Sequence, residues 1–274
     1  PNSRKYTKKA PVHSPTLINN WVEAHAESTY PGDIIATNDP YQGAGHLPDI
    51  YMWYPIFNGD ELVAWSVAGG HVRDVGGRTP GSCACDSREI YQEGLRFPPM
   101  KLYERGIPNQ TLFDIIGTMS RTPEIVKGDI EAFRSACQIG ERWLLELIRT
   151  YGWEFLNSCL NELLDYSERL ARAGITKMPD GEYEFTDYLD DNGVDFDKQV
   201  PVKVKITVKD DTITCDFTGT GPQVKGAMNN PVGNARANTV TIIRYLMDPG
   251  IPRNSGSLRP VKIILPEGTM LNPR

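Results

Sequence analysis

Two histidines and one aspartate can hold a divalent metal ion, and "NDPYQGAGHLPDI" (38–50) places His46 and Asp49 three residues apart. His71 follows in "GGHVRDVGG". The 274 residues contain only four histidines, so this region is where metal chemistry is to be sought. Two neutral imidazoles and a carboxylate suit Zn, Mn or Fe and leave open positions for water or substrate. Such an ion makes water more acidic or holds an oxyanion as a Lewis acid. Asp74, three residues after His71, is the candidate catalytic residue. It has the chemistry of a fourth ligand, an orienting partner for an imidazole or a general base. Its alternative is a turn aspartate ahead of Gly76-Gly77. Asn38 and Asp39, just before Pro40, suit turn caps better than chemistry.

The elements around these residues decide whether they can meet. "DIIAT" (33–37) and "IYMWYPIF" (50–57) read as strands, the second apolar on both faces and so buried on both sides. Asn58-Gly59 is a hairpin signal, and "DELVAWSVA" supplies the second arm. Pro55 suits an edge or a bulge better than a central strand. A two-residue loop at Asn58-Gly59 pairs Phe57 with Asp60, so partner numbers sum to about 117, and His46 falls opposite His71. Asp49, an odd number of residues from His46, then faces the other side unless "HLPD" bends. A longer loop shifts this register.

Thr122-Pro123-Glu124 marks a helix start. Ile130, Phe133, Cys137, Trp143, Leu144, Leu147 and Ile148 recur at helical spacing up to Gly152. Phe155, Cys159, Leu160, Leu163, Tyr166 and Leu170 form a second stripe closed by Gly174. Both stripes are expected to be core. From residue 182 strands return. Val202, Val204, Ile206 and Val208 alternate with polar residues and turn through "KDDT" into Ile213, Cys215 and Phe217, an antiparallel hairpin. A Gly/Pro/Asn-rich tract, "GTGPQVKGAMNNPVGN", leads to a helix near 234–247 and a final strand "VKIIL". The division expected is a β-rich metal-site region (1–120), a helical hairpin (121–175) and a second β-rich region (176–274).

A hydrophobic content of 39% with 23% charged residues is an ordinary globular balance. The formal charge of −6 argues against a nucleic-acid partner, which selects a basic face. No apolar run approaches the ~20 residues that cross a bilayer. Five cysteines are a poor disulfide framework and fit a reducing, cytoplasmic setting. "CACD" sets Cys83 and Cys85 too close for a zinc clip. There is no Gly-Lys-Ser/Thr phosphate loop and no G-x-S-x-G elbow. A reaction that uses ATP therefore takes it from another polypeptide. The chain opens on Pro1 and stops in mid-pattern after "LPEGTMLNPR", and we read it as a fragment of a longer subunit.

The blocks "GDIIATNDPYQGAGHLPDI", "GGHVRDVGGRTPGS", "DSREIYQEGLRFPPMKLYERG", "DFTGTGPQVKGAMNNP" and "LMDPGIPRNSGSLRPVKIILPEGTMLNP" resemble, in order, the B-type subunit of the hydantoinase/oxoprolinase family. That family includes subunits of acetone and acetophenone carboxylases. The resemblance implies an α+β fold with β-sheets in a barrel-like arrangement, a helical segment and polyproline-II-like segments. It implies a hetero-oligomer with an ATP-binding A-type subunit, and ligation of the metal by the residues standing here as His46, Asp49 and His71, with a further acidic ligand upstream. It also implies ATP-dependent hydrolysis of a hydantoin- or 5-oxoproline-like cyclic amide, or carboxylation of a ketone. Many relatives carry a second histidine where this chain has Val72, which weakens the hydrolase assignment and keeps ketone carboxylation as its competitor, with hydrolysis still the leading expectation. Outside the family, the same residue types suit a non-haem iron oxygenase or a non-catalytic scaffold.

Overall fold

The computed structural model of the chain describes residue 21, residues 25–82 and residues 84–274. They divide into two compact units. One comprises the described residues up to Ala84 together with Ile90–Trp153, and the other comprises Cys85–Glu89 with Glu154–Arg274.

The first unit is built on a five-stranded sheet of order β3-β2-β1-β4-β5. Its strands are β1 (Ile34–Thr37), β2 (Asp49–Asn58), β3 (Glu61–His71), β4 (Met100–Glu104) and β5 (Ile107–Pro108). The apolar run of β2 is buried as its composition demands: Ile50, Met52, Trp53, Tyr54 and Ile56 are all inside. On one face Trp53 joins Ile35, Leu62 and Trp65 in a cluster. Helix α2 (Pro123–Tyr151) packs on β2 and β3, after a short α1 (Gln110–Met119). Val126, Ile130 and Cys137 of α2 are fully buried. Close approach is possible because Gly140 has no Cβ; one added there would stand 2.5 Å from the Ser66 hydroxyl. The Cys137 thiol meets the Ser66 carbonyl at 3.7 Å, and burial pushes its pKa up to about 11. Pro55 costs β2 little, because it lies beyond the last β1 rung, Ile35 with Trp53, and one residue from a bulge.

The second unit holds α3 (Trp153–Ile175), the sheet β6-β7-β8-β9 and α4 (Val232–Leu246). Strands β6 (Gly181–Leu189), β7 (Val200–Lys209) and β8 (Thr212–Asp216) are antiparallel neighbours, and β9 (Val261–Ile264) runs parallel to β8. Ala171 and Ile175 of α3 pack with Val208, Ile213, Cys215, Ile243 and Met247. No helix among the described residues is long and apolar enough to cross a membrane.

Three expectations are corrected. The sheets are open rather than barrel-like: β3 and β5 end the first, β6 and β9 the second, and no edge strand pairs across to close either. The Gly/Pro/Asn-rich tract after β8 is not a polyproline-II bundle but a series of internally bonded turns. There the Asn229 amide receives the Val224 N–H at 2.9 Å and donates back to the Val224 carbonyl at 2.7 Å, and Pro222 bridges Thr269. Glycine- and proline-rich composition permits extended segments, but local amide hydrogen bonds win here. The helical stripes are only partly core: Trp143, Leu147, Phe155, Cys159, Leu163 and Tyr166 are exposed. Periodicity identifies a face, not what covers it. Thr122 occupies the cap position of α2, yet its hydroxyl makes no capping bond and is buried without a partner. In the "CACD" pair Cys83 lies outside the described residues, and Cys85 is exposed.

Candidate metal centre

The β2–β3 hairpin brings the second histidine to the first through a register other than the one predicted. Asn58 pairs with Glu61, so Gly59-Asp60 forms the loop, with Gly59 at φ +63°. A bulge between Ile56 and Phe57 then admits Val63 as an extra residue. The ladder therefore sets His71 opposite Asp49, not opposite His46. Directly paired residues share a face, so the carboxylate and the imidazole of this pair project together.

His46 joins them through the bend that the proline permits. The Asp49 amide donates to the His46 carbonyl at 3.0 Å, closing a tight turn over Leu47 and Pro48, and the Val72 amide reaches the Pro48 carbonyl at 2.8 Å. His46 Nδ1 lies 2.8 Å from Asp49 Oδ2, and His71 Nδ1 lies 3.5 Å from Asp49 Oδ1. The imidazole centroids are 4.8 Å apart. One donor atom from each of the three residues falls within 4.8 Å of the others. Ligands held at ~2.0–2.2 Å from one ion stand no more than ~4.2 Å apart. Small rotations of the two exposed rings bring the set to that spacing, so the residues fit a divalent ion. The side chains of His46 and His71 are 40% and 53% exposed and that of Asp49 18%, leaving one side open to water or substrate.

The hydrogen bond that the His46 ring donates to the Asp49 carboxylate raises the pKa of His46 above 6.5. Burial opposes that effect, and the negative charges of Asp49 and Glu93 add to it.

Asp74 is placed differently. Its carboxylate is buried and accepts hydrogen bonds from the amides of Gly76, Gly81 and Arg121 and from the Arg121 guanidinium, the last at 2.9 Å. Burial alone would raise its pKa, but these donors together hold it below the usual carboxylate value. The converging donor set contains His46, Asp49 and His71 and leaves Asp74 outside it.

Glu93 escaped the sequence reading. Its carboxyl group is half-buried, and burial raises its pKa, which the neighbouring His46 partly offsets. Among the described residues it has no hydrogen-bond or ion-pair partner. Its place is fixed by Asn38, which is fully buried. Asn38 Nδ2 donates at 2.7 Å to both the Leu47 and Leu95 carbonyls, and its Oδ1 accepts from the Phe97 amide at 2.9 Å. Leu95 also donates to the Val75 carbonyl at 2.8 Å. The segment carrying Glu93 is thus clamped between the residue after His46 and the loop after His71. Gly77 permits the approach, since a Cβ there would lie 2.5 Å from the Glu93 carbonyl carbon. The only sequence signal was an acidic residue in the block "YQEGLRF".

With this geometry established, similarity to known proteins becomes informative. The caprolactamase subunit beta of Pseudomonas jessenii is 34% identical over 88% of this chain and 41% of its own length. The crystal structure of the ATP-dependent caprolactamase from the same organism superposes with a TM-score of 0.86 at 31% identity, over 94% of this chain and 44% of that one. Nucleotide-free acetone carboxylase shares the fold, with a TM-score of 0.86 at 22% identity over 95% of this chain and 36% of that one. The chain thus spans less than half the length of these relatives. The family model described as hydantoinase B/oxoprolinase matches residues 7–274. The chain belongs to the hydantoinase B/oxoprolinase family.

Proposed function

We propose that the chain is the metal-bearing part of an ATP-dependent enzyme that hydrolyses a cyclic amide of the hydantoin or 5-oxoproline kind, assembled with an ATP-binding partner subunit. The observation that carries this reading is the convergence of His46, Asp49 and His71 on one small, open volume in a chain of this family. The two imidazoles and the Asp49 carboxylate would hold the ion, with Zn, Mn and Fe all suited to the donor set. When bound, that ion supplies Lewis acidity at a carbonyl oxygen.

The protein's own residues supply the rest. Asp49 fixes the orientation of both imidazoles by facing each through a different oxygen. To Glu93, whose carboxyl group feels the charge of His46, we assign the role of general base, accepting a proton during attack of water and returning it to the leaving amine. Asp74 has its oxygens committed to Arg121 and three amides, so we assign it the task of holding the loop after His71 rather than moving protons.

Ketone carboxylation is the second reading, prompted by Val72. Val72, just past the end of β3, is fully buried, whereas the neighbouring His71 side chain is exposed. A histidine there would not face the donor set, so Val72 does not disfavour hydrolysis. The test combines the chain with its partner subunit, ATP and cyclic-amide substrates. Amide opening with one ATP hydrolysed per ring and no incorporation of labelled bicarbonate is expected. Bicarbonate incorporation into a ketone, without amide turnover, contradicts the hydrolase.

A further inference from the structure

In the second unit, the end of α4 and the segment after it enclose a cleft of about 360 Å³, with Arg244, Met247, Pro249, Ile251, Arg253 and Ser257 in its lining. Arg244 is fixed rather than free: its Nη2 donates to the Asn254 carbonyl at 3.2 Å and meets the Ser257 hydroxyl at 3.5 Å. Its Nε is buried and has no partner. Among the described residues neither Arg244 nor Arg253 has a carboxylate within ion-pair distance. Arg244, partly buried, and Arg253, exposed, therefore share one cleft with no carboxylate at ion-pair distance from either, and an anion entering it meets both positive charges. Burial, and then the charge of Arg253, lower the proton affinity of Arg244, consistent with that crowding.

The cleft also limits which anion fits. Asp248 belongs to its lining, and one of its oxygens is tied to the Gly250 amide at 2.8 Å. Two guanidiniums against one carboxylate leave a single net positive charge, which suits a monoanion better than a phosphate dianion. A planar carboxylate matches the fork of an arginine. Met247, Pro249 and Ile251 add apolar wall, and Met247 is itself buried. The volume sits at the small end of ligand pockets.

We propose that this cleft binds a small organic monocarboxylate, its head group held by the charges of Arg244 and Arg253 and its apolar body along Met247, Pro249 and Ile251. Calorimetric titration of the chain with pentanoate, acetate, pentanamide and inorganic phosphate tests this without metal, ATP or partner, so it stands or falls apart from the metal reading. One saturable pentanoate site per chain is expected. Acetate, lacking the body, and pentanamide, lacking the charge, should bind roughly tenfold or more weakly. Arg244→Gln should weaken pentanoate roughly tenfold. Arg253→Gln should weaken it by a smaller factor, and His46→Ala should leave it unchanged. If Arg244→Gln fails to fold, Arg244→Lys keeps the charge but loses the guanidinium that Asn254 and Ser257 hold in place, and should still weaken binding. Absence of saturable pentanoate binding, phosphate binding tighter than pentanoate, or undiminished binding in folded Arg244→Lys and Arg253→Gln variants would overturn the proposal.

Discussion

At the scale of single residues, His46 decides how the candidate centre responds to pH. Its Nδ1 lies 2.8 Å from Asp49, which raises its pKa, and a metal takes only the neutral ring. Metal affinity should therefore fall about tenfold per pH unit below the pKa of His46, with the break above pH 6.5, when measured by calorimetry from pH 5.5 to 8. The same group acts oppositely on the metal-free fold. A raised folded-state pKa gives stability that is complete below 6.5 and disappears as pH rises through the higher value. Asp74 works in the other direction. Its lowered pKa gives stability present above the ordinary carboxylate value and lost as pH falls through the folded one. Asp74→Asn should destabilise by about 1–3 kcal/mol in denaturant titration, because buried donors lose their acceptor. It should leave metal stoichiometry intact, and loss of metal without loss of stability would give Asp74 a direct role at the centre. Glu93→Gln should likewise retain the metal but remove the turnover that depends on proton transfer. The ligand trio was legible because its residue types are scarce and closely spaced. Glu93 was not, because long-range contacts such as the Asn38 clamp, spanning some sixty positions, hold the segment that carries residue 93.

At the scale of elements, the centre depends on how tightly β2 and β3 are laid together. Gly69 is the critical contact: a Cβ there would stand 2.6 Å from the Ile50 carbonyl and 2.8 Å from the Tyr51 Cα, both backbone. Gly69→Ala must separate the strands two rungs from the Asp49–His71 pair. It should cost about 1–3 kcal/mol and weaken metal binding severalfold. Gly59→Ala, at φ +63° with open space around it, should cost about 1–2 kcal/mol from backbone strain alone and leave affinity unchanged. Equal loss of affinity in both variants would show that strand spacing is not what matters. The hairpin itself was readable from Asn58-Gly59 and two apolar arms. Its register was not, because loop position and bulge each shift the pairing, and neither leaves a distinct mark in composition. The long helix was predicted by its spacing, whereas α1 and β4 are short and carry weak patterns.

At the scale of the whole molecule, the family and the α+β make-up were visible in the sequence, while the barrel-like closure and the polyproline-II segments, implied by resemblance alone, were not realised. Closure is a matter of which edge strands pair, and a single chain's alternation pattern is the same for open and closed sheets. A metal that binds the folded first unit stabilises it by mass action, by about 2.7 kcal/mol at a free ion concentration a hundred times Kd. Chelation should lower the unfolding temperature of the chain correspondingly, and His46→Ala should abolish that response. The most direct measurement is anomalous diffraction at the metal edge on crystals of the chain grown with Zn or Mn. The account predicts one ion per chain within about 2.0–2.3 Å of a nitrogen of His46, a nitrogen of His71 and an oxygen of Asp49. No ion there, with His46 still hydrogen-bonded to Asp49 at saturating metal, would contradict it.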